Sequence, residues 1–481
     1  MAVKKELPLV CYIISSFCYT NFCEFIILSK CKYSLDMRNI QTLSLKRRMK
    51  MKDKIKIALI GCGRFCQFFV PLFKAHPFVE EVYVCDQKRE RAEEYAQRFG
   101  VKIIDSFETA LNREDINAIG IFTTRTQHGP MAIESLKHGK HVYSSVPCAT
   151  KIEEIFEIER LVRETGLTYS MGETGYYRAA TCFCRREFAK GTFGKFVYAE
   201  SQYNHDIRNM EQSFRSSGGE DWKQYAGIPP MFYPTHSTSM ILSSMPGVYA
   251  KKVVAFGYKG SPRTDIYGTE GQNLYDNPFS NTAMLLELSN GGIARVSENR
   301  CLGWRAPETY ISQFYGTDGG YEFSVAHHHL ATWDPENPGA VIMKDVTEEL
   351  QPEKVSKLIS MDYPLAIQAI ANSGGLLVNV PIPVTGNAAS VDTSPVQPVE
   401  RLPEEYKALE NGHNGTHQFL IDDFCRAVET GKLSPTNIWE VARYNIPGLL
   451  AHQSALQGGV TMDVPDLGEP PKDWKVLWQE D

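Results

Sequence analysis

The chain has 481 residues, 43% apolar, 11% aromatic and 22% charged, the profile of a globular enzyme and not of a disordered, collagenous or coiled-coil protein. That length exceeds a single core of ordinary size and predicts two domains. A net charge of −6 argues against nucleic-acid partners, whose phosphates need a basic face.

The first fifty residues stand apart. They hold nine Lys and Arg against three Asp and Glu, so the other 431 residues carry a balance of −12. Leu7 to Leu28 is largely apolar and follows Lys4 and Lys5, as a signal peptide or anchor would. Glu24 inside the stretch and the lack of a small-x-small cleavage site argue against both. Residues 1–50 are therefore expected to be a leader, either an over-extended start or a disordered extension, with no stable membrane insertion. The cysteines beyond Cys31 form no Cys-x-x-Cys pair, which suits a reducing compartment and a cytoplasmic enzyme. Cys182 and Cys184 would share one face of a strand, in a packing role.

Lys54–Ile60 is a short apolar strand running into Gly61-Cys62-Gly63-Arg64-Phe65-Cys66, after which Phe68–Ala75 reads as helix. A second strand, Glu81–Cys85, ends at Asp86, 25 residues beyond Gly61. Strand, glycine turn, helix, strand and acid in this order are the layout of a nicotinamide-dinucleotide site. Gly61 permits the tight turn, and Gly63 lets the backbone approach the pyrophosphate. Arg64 and Phe65 complete the turn, and the helix N-terminus offers amides to the phosphates. Asp86 can accept both hydroxyls of the adenosine ribose and would repel a 2′-phosphate, so NAD is favoured over NADP despite Lys88 and Arg89. Cys66 stands where a third glycine is expected. The helix Arg89–Phe99 and the strands Ala118–Thr123 and His141–Ser144 continue the alternation of a parallel sheet.

Two later segments carry a resemblance. They are Thr123-Thr124-Arg125-Thr126-Gln127-His128 and Gly139-Lys140-His141-Val142-Tyr143-Ser144-Ser145-Val146-Pro147. They resemble the Gfo/Idh/MocA superfamily of sugar-handling oxidoreductases, which reads Thr-Pro-Asn-x-x-His and Gly-Lys-His-Val-x-x-Glu-Lys-Pro at these places. The resemblance covers about residues 52–480. It implies that Thr123, Arg125, His128, Ser145 and Val146 border the nicotinamide end of the cofactor. Dehydrogenase branches use the Lys of Glu-Lys-Pro to handle a proton, but Val146 and Ser145 replace that Lys and Glu, and valine moves no protons. A branch that carries Val there is the NAD-using glycosidases related to α-N-acetylgalactosaminidase.

From about Ala179 the pattern turns to alternating strands: Lys195–Asn204, Ala250–Tyr258, Ala283–Leu288, Gly292–Asn299 and Tyr310–Tyr315, with Asn290-Gly291-Gly292 as a hairpin turn. The expected fold is α/β: a Rossmann parallel sheet over residues 52–174, then an α+β portion over 175–481 with a large, mostly antiparallel open sheet. The helix Gln418–Glu429 should end at Gly431, a C-cap.

Four segments place polar groups at element ends, where sites are usually built. They are Met171-Gly172-Glu173-Thr174-Gly175-Tyr176-Tyr177, Tyr203-Asn204-His205-Asp206, Tyr233-Pro234-Thr235-His236 before an apolar helix (Met240–Met245), and Gly412-His413-Asn414-Gly415-Thr416-His417. Each resembles a segment of the glycosidase branch. The resemblance implies catalytic roles for Tyr177 and His236, substrate contacts from Glu173, Tyr203, His205, Asp206, Tyr233 and His413, and a cofactor contact from Thr174 in place of an Asn. Lys223, after Trp222, takes the place of a substrate arginine. Thr235 could equally be a simple N-cap. His205, Asp206 and His236 lack metal-ligand spacing, so no metal is expected, and His327-His328-His329 reads as a solvated loop.

The implied chemistry is hydride transfer from a sugar carbinol, at carbon 3, to NAD, elimination at carbons 2 and 1, hydration, and return of the hydride. An ordinary NAD-dependent sugar dehydrogenase and an inactive NAD- and sugar-binding protein are the alternatives. A small-molecule sugar or glycoside is the expected partner, and the resemblance allows a homodimer through the exposed sheet face.

Overall fold

The computed structural model describes residues 54–268, 273–302, 310–324, 327–337, 341–350, 393–409 and 411–478. The expectations for residues 1–50 lie outside the described residues.

Six short strands form the first sheet: β1 (Ile55–Ile60), β2 (Val79–Cys85), β3 (Lys102–Ile103), β4 (Ala118–Ile121), β5 (His141–Ser144) and β6 (Tyr169–Met171). All pair in parallel, in the order β3-β2-β1-β4-β5-β6. Parallel strands covered on both faces need continuous apolar runs, and Ile57, Ala58, Leu59, Val84, Ile119 and Val142 are fully buried. The strand order reverses between β1 and β4, which opens a crevice at the carboxyl edge beside the glycine turn. One element differs from expectation. The helix after that turn is a 3₁₀ turn, Cys66–Phe68, followed by a short α-helix, Val70–Ala75, with Pro71 in its first turn. Proline lacks an N–H and disfavours helical backbone in the residue before it, so the α-helix begins late.

The second sheet has nine strands: β7 (Phe196–Asn204), β8 (Ala250–Tyr258), β9 (Asn281–Leu288), β10 (Ile293–Asn299), β11 (Tyr310–Gly316), β12 (Gly319–Ser324), β13 (His327–Trp333), β14 (Val341–Asp345) and β15 (Met462–Asp463). Their order is β14-β13-β12-β11-β7-β10-β9-β8-β15, antiparallel except for β7 with β10. In β9, Thr282, Met284, Leu286 and Leu288 face inward while Ala283, Leu285 and Glu287 face out, the alternation of a sheet covered on one side. The inward residues share one core with Ile241, Leu242, Val441 and Tyr444 from the helices Thr235–Leu242 and Ile438–Leu456.

Three local expectations are corrected. Cys182 and Cys184 lie on a helix, Ala179–Ala189, and not on a strand, because a run opening on two alanines and closing with arginines and Glu187 favours helix. His327–His329 is part of β13 and not a loop, and His328 is buried with its Nδ1 2.6 Å from the Tyr321 hydroxyl. The helix expected at Met240–Met245 starts at Thr235, so His236 sits in its first turn.

The helix His417–Thr430 ends at Gly431 in left-handed backbone, as expected. Its Phe419, Leu420, Ile421 and Phe424 join the core of Ile57, Leu59, Phe69 and Phe73, so the chain returns to the first sheet after completing the second.

Candidate active site

Gly61 sits at φ +102°, and a Cβ there would lie 2.6 Å from the Phe122 carbonyl oxygen, so only glycine lets β1 turn against β4. A Cβ on Gly63 would meet nothing within 4 Å, which leaves the backbone open to a pyrophosphate. Asp86 ends β2 and secures the turn: its Oδ2 accepts the Cys62 N–H at 2.8 Å and its Oδ1 accepts the Lys88 N–H at 2.8 Å. Each oxygen keeps lone-pair capacity for a ribose hydroxyl, so this edge fits NAD. Cys66 is fully buried, filling the core position of the missing glycine. Arg64 is exposed, and Phe65 packs 4.9 Å from Phe69 and 5.6 Å from His413.

The other residues expected at the cofactor divide. His128 is buried, with Nδ1 2.8 Å from the Pro147 carbonyl oxygen and Nε2 3.1 Å from that of Thr123, and burial pulls it down to about 4. Neutral, it has one N–H to give, to the Pro147 carbonyl from Nδ1, and Nε2 lies 3.3 Å from the Ser145 hydroxyl, so both nitrogens are engaged between the loops after β4 and β5. Ser145 donates to the Ile121 carbonyl at 3.0 Å, and Val146 is buried beside it. The Thr123 hydroxyl rests on the Met131 sulfur. The Arg125 guanidinium stacks 4.8 Å over Tyr233 and 5.5 Å over Phe214, toward the residues around His236. Thr174 is buried with Oγ1 3.4 Å from His236 Nδ1, and its hydroxyl is turned to that imidazole.

His236 is the centre of a buried polar cluster. Glu173, fully buried where the chain leaves β6, puts Oε1 2.6 Å from His236 Nδ1 and 2.6 Å from the Gly175 N–H. A carboxylate at Nδ1 fixes the proton there and leaves the Nε2 lone pair for the Tyr233 hydroxyl, 3.1 Å away. The helix Thr235–Leu242 comes this close because residue 175 is glycine: a Cβ would lie 2.2 Å from Ser239 Oγ and 2.7 Å from the His236 carbonyl oxygen. Tyr203, at the end of β7, packs edge-on to His236 at 5.2 Å and donates its hydroxyl to His205 Nδ1. Burial, Arg300 and His236 push His205 down to about 3, so its imidazole is neutral and able to accept that proton.

Four expected residues lie elsewhere in role. Tyr177 is not in this cluster. Its hydroxyl donates to Asp423 Oδ2 at 2.5 Å, accepts from Arg401 Nη2 at 2.8 Å, and its ring stacks on Phe419. Asp206 N-caps the helix Ile207–Gly218, taking the amides of Arg208 and Leu302 and the Arg208 side chain. Burial raises its carboxyl, but these partners win and hold it below the ordinary range. Lys223 pairs with Asp265 at 3.0 Å and is half-exposed. His413 sits at φ 51° against Phe65 and His417, nearer the glycine turn than the His236 ring contacts. Thr235 is not an N-cap; that position is Pro234.

Sequence reasoning missed four members. Tyr310 stacks on Tyr203 at 4.5 Å and lies 5.5 Å from His236, with the Arg178 guanidinium 3.5 Å over its ring. Glu298 is fully buried, accepting from Ser237 Oγ and from Arg300 Nη2 at 2.9 Å, and burial pushes it up to about 8 against the pull of Arg300. A signal existed for the last pair: Ala294, Val296, Glu298 and Arg300 continue one inward stripe, and charges on a core stripe are rarely idle. Among the described residues, no group of three His, Cys, Asp or Glu side chains is gathered to hold a metal ion, and no helix is long and apolar enough to cross a membrane.

Residues 55–173 match the family model described as oxidoreductase family, NAD-binding Rossmann fold (Gfo/Idh/MocA). A glycosyl hydrolase family 109 protein of Saccharopolyspora erythraea is 23% identical over 300 residues, 58% of this chain and 64% of that one. An α-N-acetylgalactosaminidase of Bacteroides fragilis is 29% identical over 198 residues, 38% of this chain and 46% of that one. The chain thus spans less than two thirds of either relative. The structure of a levoglucosan dehydrogenase in complex with NADH and levoglucosan superposes with a TM-score of 0.62 at 16% identity, over 86% of this chain and 100% of that one. The glycine turn, the acid ending β2 and the strand order agree with that match: residues 55–173 form an NAD-binding Rossmann domain similar to that of the Gfo/Idh/MocA oxidoreductases.

Proposed function

We propose that the chain is an NAD-assisted glycosidase that cleaves a sugar–aglycone bond without net oxidation. The carrying observation is the pair of proton relays meeting in one buried cluster, Glu173–His236–Tyr233 and Tyr203–His205. When bound, NAD supplies a hydride acceptor that oxidises a ring carbinol transiently and so acidifies the hydrogen on the neighbouring carbon. The chain must then move two protons, one from the hydroxyl and one from that carbon. His236 Nε2 takes one through the Tyr233 hydroxyl, while Glu173 stabilises the imidazolium that forms. Tyr203, its hydroxyl hydrogen-bonded to neutral His205 and its ring edge-on to His236, orients the other toward the same imidazole once the first proton has passed to solvent. Tyr310 and Arg178 wall the cluster, and burial of all these groups excludes bulk water. Tyr177 ties its own segment to Asp423 on the helix His417–Thr430 and takes no proton from substrate.

Support for cleavage over simple dehydrogenation comes from Val146, buried where a dehydrogenase lysine would stand. The family 109 relatives point the same way. Aryl glycosides given to the purified enzyme with NAD test the reading: aglycone release without net NADH absorbance is expected. Net NADH from free sugars would instead establish a dehydrogenase, and silence in both a binding protein.

The reading also includes a division near residue 174, a cytoplasmic location and a homodimer. For the dimer, support lies in the outward sheet face, where Val197, Phe256, Leu285 and Ile293 are exposed together on β7–β10.

A further inference from the structure

Beside Tyr233 lies a small pocket, with room for about one water molecule, walled by Arg125, Met210, Phe214, Tyr267 and Arg300 among others. Its two cations are not alike. Arg300 is engaged by the Glu298 carboxyl at 2.9 Å and by the Asn299 carbonyl oxygen at 3.3 Å. Arg125 begins the helix Arg125–Lys137, is half-buried, and among the described residues forms no ion pair or hydrogen bond, only the stacking on Tyr233 and Phe214. Its positive charge reaches Tyr233, Tyr267 and His205. None of the residues of the Gly61–Phe65 turn lines this pocket, so it is a space separate from the pyrophosphate edge.

A partly desolvated guanidinium with no anion beside it is costly, and its planar fork matches an oxyanion two bonds at a time. Resting on the proposal that the site takes a sugar, we infer that the substrate carries an oxyanion, a carboxylate or a sulfate, which Arg125 binds in the pocket next to Tyr233. The Tyr233 hydroxyl joins this pocket to His236.

Calorimetry on the NAD-saturated enzyme tests this with methyl galacturonide, methyl glucuronide and N-acetylgalactosamine 6-sulfate, each against its neutral counterpart. At least one anionic probe is expected to bind about tenfold more tightly than its neutral partner, a difference lost in Arg125→Gln while NADH affinity is unchanged. The uronides against the sulfate identify which oxyanion fits. Equal binding of neutral and anionic probes overturns the inference, as does no binding of any probe, or an Arg125→Gln variant that weakens NADH instead. Arg125-dependent anion selectivity without glycoside turnover upholds it and sinks the proposed reaction. Turnover of neutral glycosides in preference to anionic ones does the reverse.

Discussion

Glu173→Gln isolates the charge that holds the catalytic imidazole. The side chain is fully buried, and its Oε1 serves two donors, His236 Nδ1 and the Gly175 N–H, each at 2.6 Å. An amide oxygen can accept both of these bonds, and the new NH₂, taking the place of the unpartnered Oε2, costs about 1–3 kcal/mol of stability as an unsatisfied donor, which the melting temperature reads separately. What is lost is charge. A hydrogen bond to a charged group contributes about 1.5–3 kcal/mol against about 1 for a neutral one. That loss of about 0.5–2 kcal/mol, felt when the imidazolium forms, corresponds to roughly a 2–30-fold fall in kcat. His236→Ala removes the proton carrier itself and should cost about 10²–10⁴-fold. Initial rates of aglycone release from an aryl glycoside, with NADH affinity and melting temperature as controls, measure both. A Glu173→Gln enzyme with unchanged kcat would refute the role given to the carboxylate.

Tyr177→Phe should leave turnover within about twofold but lose about 1–2 kcal/mol in urea denaturation, because it strips Asp423 and Arg401 of a buried partner. A large fall in kcat at unchanged stability would restore Tyr177 to the chemistry. Gly175→Ala puts a methyl 2.2 Å from Ser239 Oγ and should cost about 1–3 kcal/mol while separating Glu173 from His236, so kcat falls with stability. Stability should also fall with pH: His128, His205 and His417 are buried neutral, at about 4, 3 and 3. The unfolded chain protonates these groups near 6.5 and the folded one does not, so their contribution is complete above 6.5 and declines below it, by about 1.4 kcal/mol per histidine per pH unit. Melting temperatures from pH 7.5 to 5 check this, and a flat profile contradicts it. Finally, Phe256→Lys should convert the proposed dimer to monomer by light scattering, as it places a charge on the exposed apolar face.

Legibility followed the range of the signal. The first sheet could be read because each piece is local: an apolar run, a glycine turn, an acid at a strand end. Period-two alternation exposed β7 to β11, whereas β12–β14 were missed, since Gly319-Gly320 and the three histidines lack that pattern. At the site, Glu173, Tyr203, His205, Tyr233 and His236 do converge. Motif position could not tell a ligand-facing side chain from a structural one. Asp206 and His128 occupy the expected places, yet their polar atoms are consumed by amides and carbonyls. Tyr177 belongs to a segment that faces two ways, Glu173 into the cluster and Tyr177 toward Asp423, and only the return of the helix His417–Thr430 decides that. Tyr310 is one aromatic at the start of an ordinary strand, and nothing within its own segment marks it.

The central claim is a transient oxidation that permits elimination, and the product formed in heavy water tests it directly. Sugar released by the enzyme in D₂O with NAD should carry deuterium at carbon 2, read by proton NMR, because the hydrogen there is removed by a group that exchanges with solvent. Release of the aglycone with carbon 2 still fully protonated would contradict the account.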